Sequence, residues 1–369
     1  MKIVVTGTRG IPNIQGGIET HCEELYPRLA SLNYDVILIR RSCYFSSKEK
    51  TPEYEGVKLV TVFTLRIKTI ETFIHTFLSV IWAKKHKADI LHVHAIGPAI
   101  FIPFAKFLGL KVVFTHHGPD YNRAKWGPLA KAILRLGEKY GTQKADEIIV
   151  ISEVIKESLE KKYKRYDTNL IFNGFTFPIF SDKTDYIEEL SLESRGYVFT
   201  LGRFVEEKGF DLLIRAFNEL NHNNIRLVIA GDADHETAYS KMLKKLAISD
   251  NVILTGFVKG ERLRQLFNNA RLFVLPSFHE GLPIALLEAM SYRLPVLVSD
   301  IPANTQISLS AQRYFITGDQ ESLKMKLDEM MNEEFKPVDY DLSPYNWDNI
   351  ARQTASVYEK VFKPKDMDA

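Results

Sequence analysis

The sequence predicts an α/β protein made of two Rossmann-like, doubly wound parallel sheets in series. Its 369 residues, 45% of them hydrophobic, suffice for two buried cores. Strand-like apolar runs alternate with helix-like segments along the chain, the pattern of parallel sheets covered by helices. Near the middle, the polar and acidic stretch 180–194, including Ser181-Asp182-Lys183-Thr184-Asp185, interrupts that periodicity as a linker does. The implied organisation is a first domain over 1–175, a linker over 176–195, a second domain over 196–345, and a last segment, 346–369, that returns to the first domain.

The first strand, 2–7, runs straight into a glycine-rich loop that leads to helix 17–32. Strands 35–40 and 57–62, helix 69–86, strand 89–94, helix 97–109, strand 111–115, helix 126–143, strand 147–151 and helix 152–163 complete one doubly wound unit. In the second half, strands near 197–202, 226–231, 252–256, 272–276 and 295–299 alternate with helices near 209–222, 235–248, 260–269 and 282–292. Leu272-Phe273-Val274-Leu275 is a buried-strand pattern, and Pro283 suits the first position of the following helix, where a missing N–H costs nothing. The last helix runs from Trp347 to Phe362. Such sheets bind ligands at the carboxyl ends of their strands, so the chemistry is expected in a cleft shared by the two domains.

The net charge of +2 hides an asymmetry. Residues 1–175 hold 26 basic and 17 acidic side chains, a net +9, and residues 176–369 hold 22 and 29, a net −7. A basic first half suits an anionic partner. No nucleic-acid motif or basic-aromatic ladder accompanies the charge, so nucleic acid is not the expected partner. With only Cys22 and Cys43 and no paired ligand spacing, neither a disulfide framework nor a metal site is expected. Met1–Gly7 reads as a strand rather than a signal peptide, and no apolar run reaches membrane-spanning length. The expected location is the cytoplasm, free or peripheral at the inner face of the cell membrane.

Glu280 and Glu288 carry the strongest functional signal. In Pro276-Ser277-Phe278-His279-Glu280-Gly281-Leu282-Pro283-Ile284-Ala285-Leu286-Leu287-Glu288, the first lies in the strand-to-helix loop. The second lies on the helix, roughly 7 Å beyond Pro283 along its axis. Two acceptors at different depths beside a positive helix N-terminus suit a ligand with hydroxyls at both ends and a phosphate between, as in a nucleotide sugar. The loop Gly7-Thr8-Arg9-Gly10-Ile11-Pro12-Asn13-Ile14-Gln15-Gly16-Gly17 lets backbone N–H groups approach a phosphate at a helix start, although its spacing departs from the dinucleotide and P-loop fingerprints. A tight turn with positive φ explains Gly10 equally well, whereas Gly16-Gly17 stands where the helix begins. Arg203, a planar fork, and Lys208, a point charge, follow the first strand of the second half and suit a diphosphate. They could stabilise a departing nucleotide without a metal. His117, at the end of strand 111–115, can hydrogen-bond a substrate hydroxyl; His116 and His94 compete for that role, and Asp120 is a candidate acceptor-side carboxylate.

Taken together, the Gly16-Gly17 loop, His117, Gly202-Arg203 with Lys208, and the Glu280-to-Glu288 spacing resemble the retaining nucleotide-sugar glycosyltransferases of the GT-B fold, glycosyltransferase family 4, over nearly the whole chain. The resemblance implies that Gly17 donates its N–H to the donor diphosphate, that Arg203 and Lys208 hold it, and that Glu288 accepts from the ribose hydroxyls. It implies that Glu280 accepts from sugar hydroxyls, that the segment from Gly281 through Leu282 and Pro283 meets the sugar and phosphate, and that His117 contacts the sugar near its reacting face. The leaving phosphate then takes the acceptor's proton, so no side-chain base, metal or other cofactor is expected, and the domains close on the donor. More narrowly, Gly7-Thr8-Arg9-Gly10-Ile11-Pro12 with Arg123-Ala124-Lys125-Trp126 resembles bacterial enzymes of surface-polysaccharide synthesis, several of which transfer rhamnose to lipid-linked intermediates. That implies a glycan or lipid-pyrophosphate-linked acceptor, with Asp120 and Arg123 on the acceptor side.

Residues 69–87 set Ile70, Phe73, Ile74, Phe77, Leu78 and Ile81 at helical spacing, followed by Trp82 and the cluster Lys84, Lys85 and Lys87. The expected role of the stripe is to cover its own sheet, although such a helix also suits an anionic leaflet. Two other functions fit the same architecture. A nucleotide-sugar epimerase would convert its substrate with no acceptor present, and a non-catalytic nucleotide-sugar-binding subunit would turn nothing over.

Overall fold

The computed structural model describes residues 1–45, 51–65, 70–123, 126–220, 222, 224–247 and 251–362. Ala124 and Lys125 of the Arg123–Trp126 motif lie outside the described residues, as do positions 69, 221 and 248 of three expected helices. The chain divides into two α/β units, Met1–Gly174 with the residues from Tyr345 onward, and Phe175–Pro344.

In the first unit the strands are β1 (Lys2–Thr6), β2 (Asp35–Arg41), β3 (Glu53–Tyr54), β4 (Val57–Val62), β5 (Ile90–His94), β6 (Val112–His116), β7 (Glu147–Val150) and β8 (Asn169–Leu170). They form one sheet in the order β3-β4-β2-β1-β5-β6-β7-β8. Every pairing is parallel except the β3–β4 hairpin. The central strands are buried on both faces, which explains why Ile3-Val4-Val5 and Val112-Val113-Phe114 are unbroken apolar runs. The helices are α1 (Gly17–Ser31), α2 (Glu71–Lys85), α3 (Ile102–Phe107), α4 (Pro128–Lys144) and α5 (Glu153–Tyr163).

Two expectations for this unit are corrected. The segment 97–109 is not one helix: a 3₁₀ turn at Pro98–Phe101 precedes α3. Pro103 lacks the N–H that an uninterrupted helix needs there. On α2 the apolar stripe is not the buried face: Phe73, Ile74 and Leu78 are only half-buried. The buried face holds Glu71, His75, Thr76, Ser79, Val80 and Ala83, while Ile70, Phe77 and Ile81 are exposed. Ionic and polar partners decide this: Glu71 takes an ion pair from Arg41 on β2 at 2.8 Å, and His75 Nε2 lies 3.1 Å from the Ile39 carbonyl. Phe77 instead stacks on Phe104 of α3 at 5.5 Å.

The second unit opens with α6 (Asp185–Glu189), followed by β9 (Tyr197–Leu201), α7 (Phe210–Asn218), β10 (Arg226–Ala230), α8 (Ala238–Leu246), β11 (Val252–Gly256), α9 (Gly260–Asn269), β12 (Leu272–Leu275), α10 (Ile284–Ser291), β13 (Val296–Ser299), α11 (Pro302–Thr305), β14 (Tyr314–Phe315) and α12 (Gln320–Asn332). The sheet order is β11-β10-β9-β12-β13-β14, all parallel. Its core joins Phe204, Phe210, Leu213 and Phe217 to Leu227, Leu272 and Leu323. The stretch read as a linker contains α6, whose Tyr186 and Ile187 are buried. Gln265 of α9 clamps it, accepting from the Tyr186 amide and donating to Asp185, each at 2.8 Å. A one-turn apolar pair among acidic residues is too short for periodicity to reveal. Pro283 precedes α10 as its N-cap, with ψ 109°, rather than occupying the first helical position.

The last helix, α13 (Trp347–Phe362), belongs to the first unit. It lies on α1, where Arg28 meets Asp348 at 2.9 Å, and it sends Tyr358 into the core to reach His92 Nδ1 at 2.6 Å.

Candidate active site

In the first sheet the strand order reverses between β1 and β5, and in the second between β9 and β12. Loops at the carboxyl ends of such switch-point strands form the ligand crevices of doubly wound sheets.

The loop after β1 is held from within. Buried Glu19, in the first turn of α1, accepts from the Arg9 amide at 3.1 Å and the Thr8 hydroxyl at 3.2 Å, and forms a buried ion pair with the Arg9 guanidinium at 2.9 Å. Arg9 also donates to the Gln15 carbonyl at 2.7 Å. Gly16 caps α1 at φ 153°, and a Cβ there would fall on the Glu19 carboxylate and the Arg9 guanidinium. Gly17 is different. It is exposed and a Cβ on it would meet nothing within 4 Å, so packing does not require a glycine at the start of α1.

His94 ends β5 and His117 follows β6. His116 is buried: its Nδ1 accepts from the Gly118 amide at 3.1 Å, which leaves Nε2 to donate to Glu138 Oε1 at 3.1 Å. Burial pushes Glu138 up, but hydrogen bonds from His116 and Tyr163 and the nearby Lys162 outweigh it and hold the carboxyl at about 2. His117 is half-buried, and its Nε2 lies 2.8 Å from His94 Nδ1. His21 of α1 stands edge-on to both rings, at 5.5 and 4.9 Å between centroids, and its Nδ1 meets Asn173 Oδ1 at 2.9 Å. His94 Nε2 contacts the Tyr26 hydroxyl, and His92 Nε2 meets Thr115 Oγ1 at 2.7 Å. Burial drives all four imidazoles down, His21 to about 4, His92 to about 3, and His94 and His117 well below the usual histidine range, and mutual repulsion among the rings adds to the fall in the last three. The cluster is therefore neutral at pH 7. Asp120 and Arg123 pair with each other at 2.7 Å.

In the second unit β9 and β12 are neighbours, so their following loops meet. Gly209 starts α7 at φ 63°, and a Cβ on it would collide with the Pro276 carbonyl. The Phe278 amide donates to the Glu207 carbonyl at 2.9 Å. This contact brings Lys208 Nζ to Glu280 Oε1 at 2.6 Å, and Ser277 Oγ donates to the same oxygen at 2.6 Å. Arg203 turns instead to Asp234 in the loop after β10, at 3.1 Å. Gly281, Leu282 and Pro283 lead into α10, and the Pro283 carbonyl accepts from the Leu286 amide at 3.1 Å. Glu288 is half-buried on that helix; burial first and then the Glu288 charge raise the neighbouring Tyr292 phenol to about 12.

Local spacing points to Lys208 and Glu280 separately but not to their pairing, and it places Arg9 in a motif without a role and gives none to Glu19, His21 or Asn173. An arginine in the loop ahead of an acidic residue in the first helical turn is the one signal that could have found the Arg9–Glu19 clamp.

Residues 15–176 match the family described as Glycosyltransferase Family 4, and residues 182–354 match Glycosyl transferases group 1. The chain is 25% identical to an uncharacterized glycosyltransferase of Methanocaldococcus jannaschii, covering 97% of this chain and 98% of that protein. It is 24% identical to the phosphatidylinositol N-acetylglucosaminyltransferase gpi3 subunit of Schizosaccharomyces pombe, covering 94% and 78%. In fold it is similar to sucrose-phosphate synthase of Thermosynechococcus elongatus, with a TM-score of 0.80 at 18% identity over 98% and 99% of the two chains. It is also similar to Anabaena HepE in complex with UDP and glucose, with a TM-score of 0.78 at 15% identity over 98% and 100%. The chain thus joins a Glycosyltransferase Family 4 segment to a Glycosyl transferases group 1 segment and is a glycosyltransferase of the GT-B type.

Proposed function

We infer that the chain is a retaining transferase that moves a sugar from a nucleoside-diphosphate donor to a glycan or lipid-pyrophosphate-linked acceptor in bacterial surface-polysaccharide synthesis. The motif from Gly7 to Pro12 favours rhamnose as the sugar. The observation that carries this reading is the Lys208–Glu280 pair at the β9/β12 switch point, a cation and a hydroxyl acceptor fixed side by side beside the start of α10. In transfer, the bond from the anomeric carbon to the diphosphate oxygen breaks and a bond to the acceptor oxygen forms. The acceptor's proton passes to the leaving phosphate, whose charge Lys208 and Arg203 offset, Arg203 having first left Asp234. Glu280 and neutral His117 take the sugar hydroxyls, Glu288 takes the ribose, and Gly17 offers its amide to the diphosphate. No metal or other cofactor is assigned a part.

A thermal-shift panel of UDP-, GDP- and dTDP-sugars tests the donor, because a ligand bound only by the native state raises the melting temperature by mass action. One nucleotide class, dTDP-rhamnose first, is expected to raise it. Gly17→Ala, with open space for its methyl group, is expected to melt like the parent without ligand and to lose most of that rise. A panel with no response removes the donor reading. The exposed Ile70, Phe77 and Ile81 beside Lys84, Lys85 and Lys87 favour docking of the first unit on an anionic leaflet, where a lipid-linked acceptor resides. Sedimentation with phosphatidylglycerol vesicles should recover the protein, and Phe77→Ser with Ile81→Ser should leave it in the supernatant; equal recovery of both counts against docking.

A further inference from the structure

In the core of the first unit a series of hydrogen-bonded side chains ends at His117. We propose that this wire, running from Thr115 through His92, Tyr358, Tyr26 and His94, fixes His117 as a hydrogen-bond donor that meets the substrate through its Nδ1–H and cannot act as a base. Every member except half-buried His117 is excluded from solvent, so each polar hydrogen along the wire has to find its acceptor within it.

The buried end sets the direction of the protons. Burial keeps His92, His94 and His117 neutral at pH 7, so each ring carries one N–H and one in-plane lone pair. Among the described residues the side-chain partner of the Thr115 hydroxyl is His92 Nε2, at 2.7 Å. Were His92 the donor there, the Thr115 hydrogen would be buried and unbonded, at the full cost of its desolvation. Thr115 therefore donates, and the His92 proton sits on Nδ1. That N–H donates to the Tyr358 oxygen at 2.6 Å. The Tyr358 hydrogen then goes to the oxygen of Tyr26, its other hydrogen-bond partner. Tyr26 also lies 3.0 Å from His92 Nδ1, but that nitrogen bears a hydrogen and cannot accept. The Tyr26 hydrogen is left to His94 Nε2. With Nε2 accepting, His94 is protonated on Nδ1 and donates to His117 Nε2 at 2.8 Å. The proton of His117 is accordingly on Nδ1. Its lone pair is occupied by His94, so the ring can offer a hydrogen bond to a sugar oxygen but cannot take a proton from an acceptor hydroxyl. This agrees with passage of that proton to the leaving phosphate, and the role at the sugar rests on the function proposed above.

Nitrogen NMR of the histidine-labelled full chain at neutral pH identifies the protonated nitrogen of each ring. Nδ1 is expected for His92, His94 and His117, and a proton on His117 Nε2 overturns the proposal. No nucleotide sugar is present in this measurement, so it is separate from the donor reading: a silent thermal-shift panel beside the expected tautomers removes that reading and leaves the wire in place. Tyr26→Phe keeps the ring, deletes the hydroxyl and cuts the series in the middle. In that protein the His94 Nε2 resonance should move to that of a nitrogen with no hydrogen bond, while His92 keeps its proton on Nδ1. Its kcat should fall about tenfold, the worth of one ordinary hydrogen bond, with the donor-induced rise in melting temperature retained. A tyrosine needed only for packing would leave both the resonance and kcat as they are in the parent. A folded Tyr26→Phe protein with the parent's kcat overturns the positioning role, and the tautomers of the unaltered chain decide the direction of the wire whether or not that variant folds.

Discussion

Replacing Lys208 with alanine is expected to lower turnover about 10²- to 10³-fold, the cost of removing one preorganised group aimed at developing charge. The reason lies in where the ammonium is held. Gly209 and the Phe278–Glu207 hydrogen bond lock the loop after β9 onto the loop after β12, so Lys208 does not have to be ordered during the reaction. The loss should fall mainly on kcat, because the charge on the leaving phosphate grows only as the bond breaks. Folding should be little affected: the Lys208–Glu280 pair is partly solvent-accessible, and such pairs contribute roughly 0–1 kcal/mol. Steady-state kinetics with the donor found by thermal shift, together with a melting curve, separate the two effects. Glu280→Gln keeps the Ser277 hydrogen bond but removes the counter-charge, and it should lose turnover by a similar factor. A Lys208→Ala protein working within about threefold of the parent would sink the assignment of the cation to the leaving group.

The first unit is expected to lose several kcal/mol of stability between pH 7 and pH 5. His21, His92, His94 and His117 all have folded pKa values below the ordinary 6.5. Unfolding at pH 5 therefore takes up a proton at each ring that folding excludes. The contribution is fully present above pH 6.5 and falls as the pH drops toward the folded values, by about 2 kcal/mol each at pH 5 for His21 and His92, held at about 4 and about 3. Set against a typical stability of about 5–15 kcal/mol, this is a large fraction. Glu138, held at about 2, adds a second loss of the opposite group type: its stabilisation is complete above pH 4.5 and disappears as the carboxyl protonates between 4.5 and 2. Amide exchange of β5 and β6 against pH measures the first unit separately from the second. Protection that stays flat from pH 7 to 5 would mean that the imidazoles are not held neutral.

Much of the fold was legible because each element's own residues carry its signal. Ile3-Val4-Val5 and Leu272-Phe273-Val274-Leu275 are short β-branched and apolar runs that suit a strand buried on both faces, and both are strands. Gly16-Gly17 marks the start of α1 to the residue. Short elements failed this test. Helix α6 buries only Tyr186 and Ile187, too few for a period, so its acidic neighbours dominated the reading. The face of α2 failed for another reason: its apolar spacing was clear, but the Arg41–Glu71 ion pair and the His75 contact rotated polar residues inward.

By itself the sequence determined the alternation of strands and helices, the two-sheet class, and the loops on which Lys208, Arg203, Glu280 and His117 lie, because period and turn chemistry are local properties. Tertiary structure alone decided which of these groups meet. Lys208 and Glu280 touch because β9 and β12 are adjacent although 72 positions separate the two side chains. His21 of α1 and Asn173, 152 positions apart, and His92 and Tyr358 of α13, 266 apart, share one buried cluster because α1 and α13 pack together over the first sheet. In a parallel sheet, strands that lie side by side are joined by crossovers or by whole subunits of chain, so their partnerships follow from the global packing and leave no trace in local spacing.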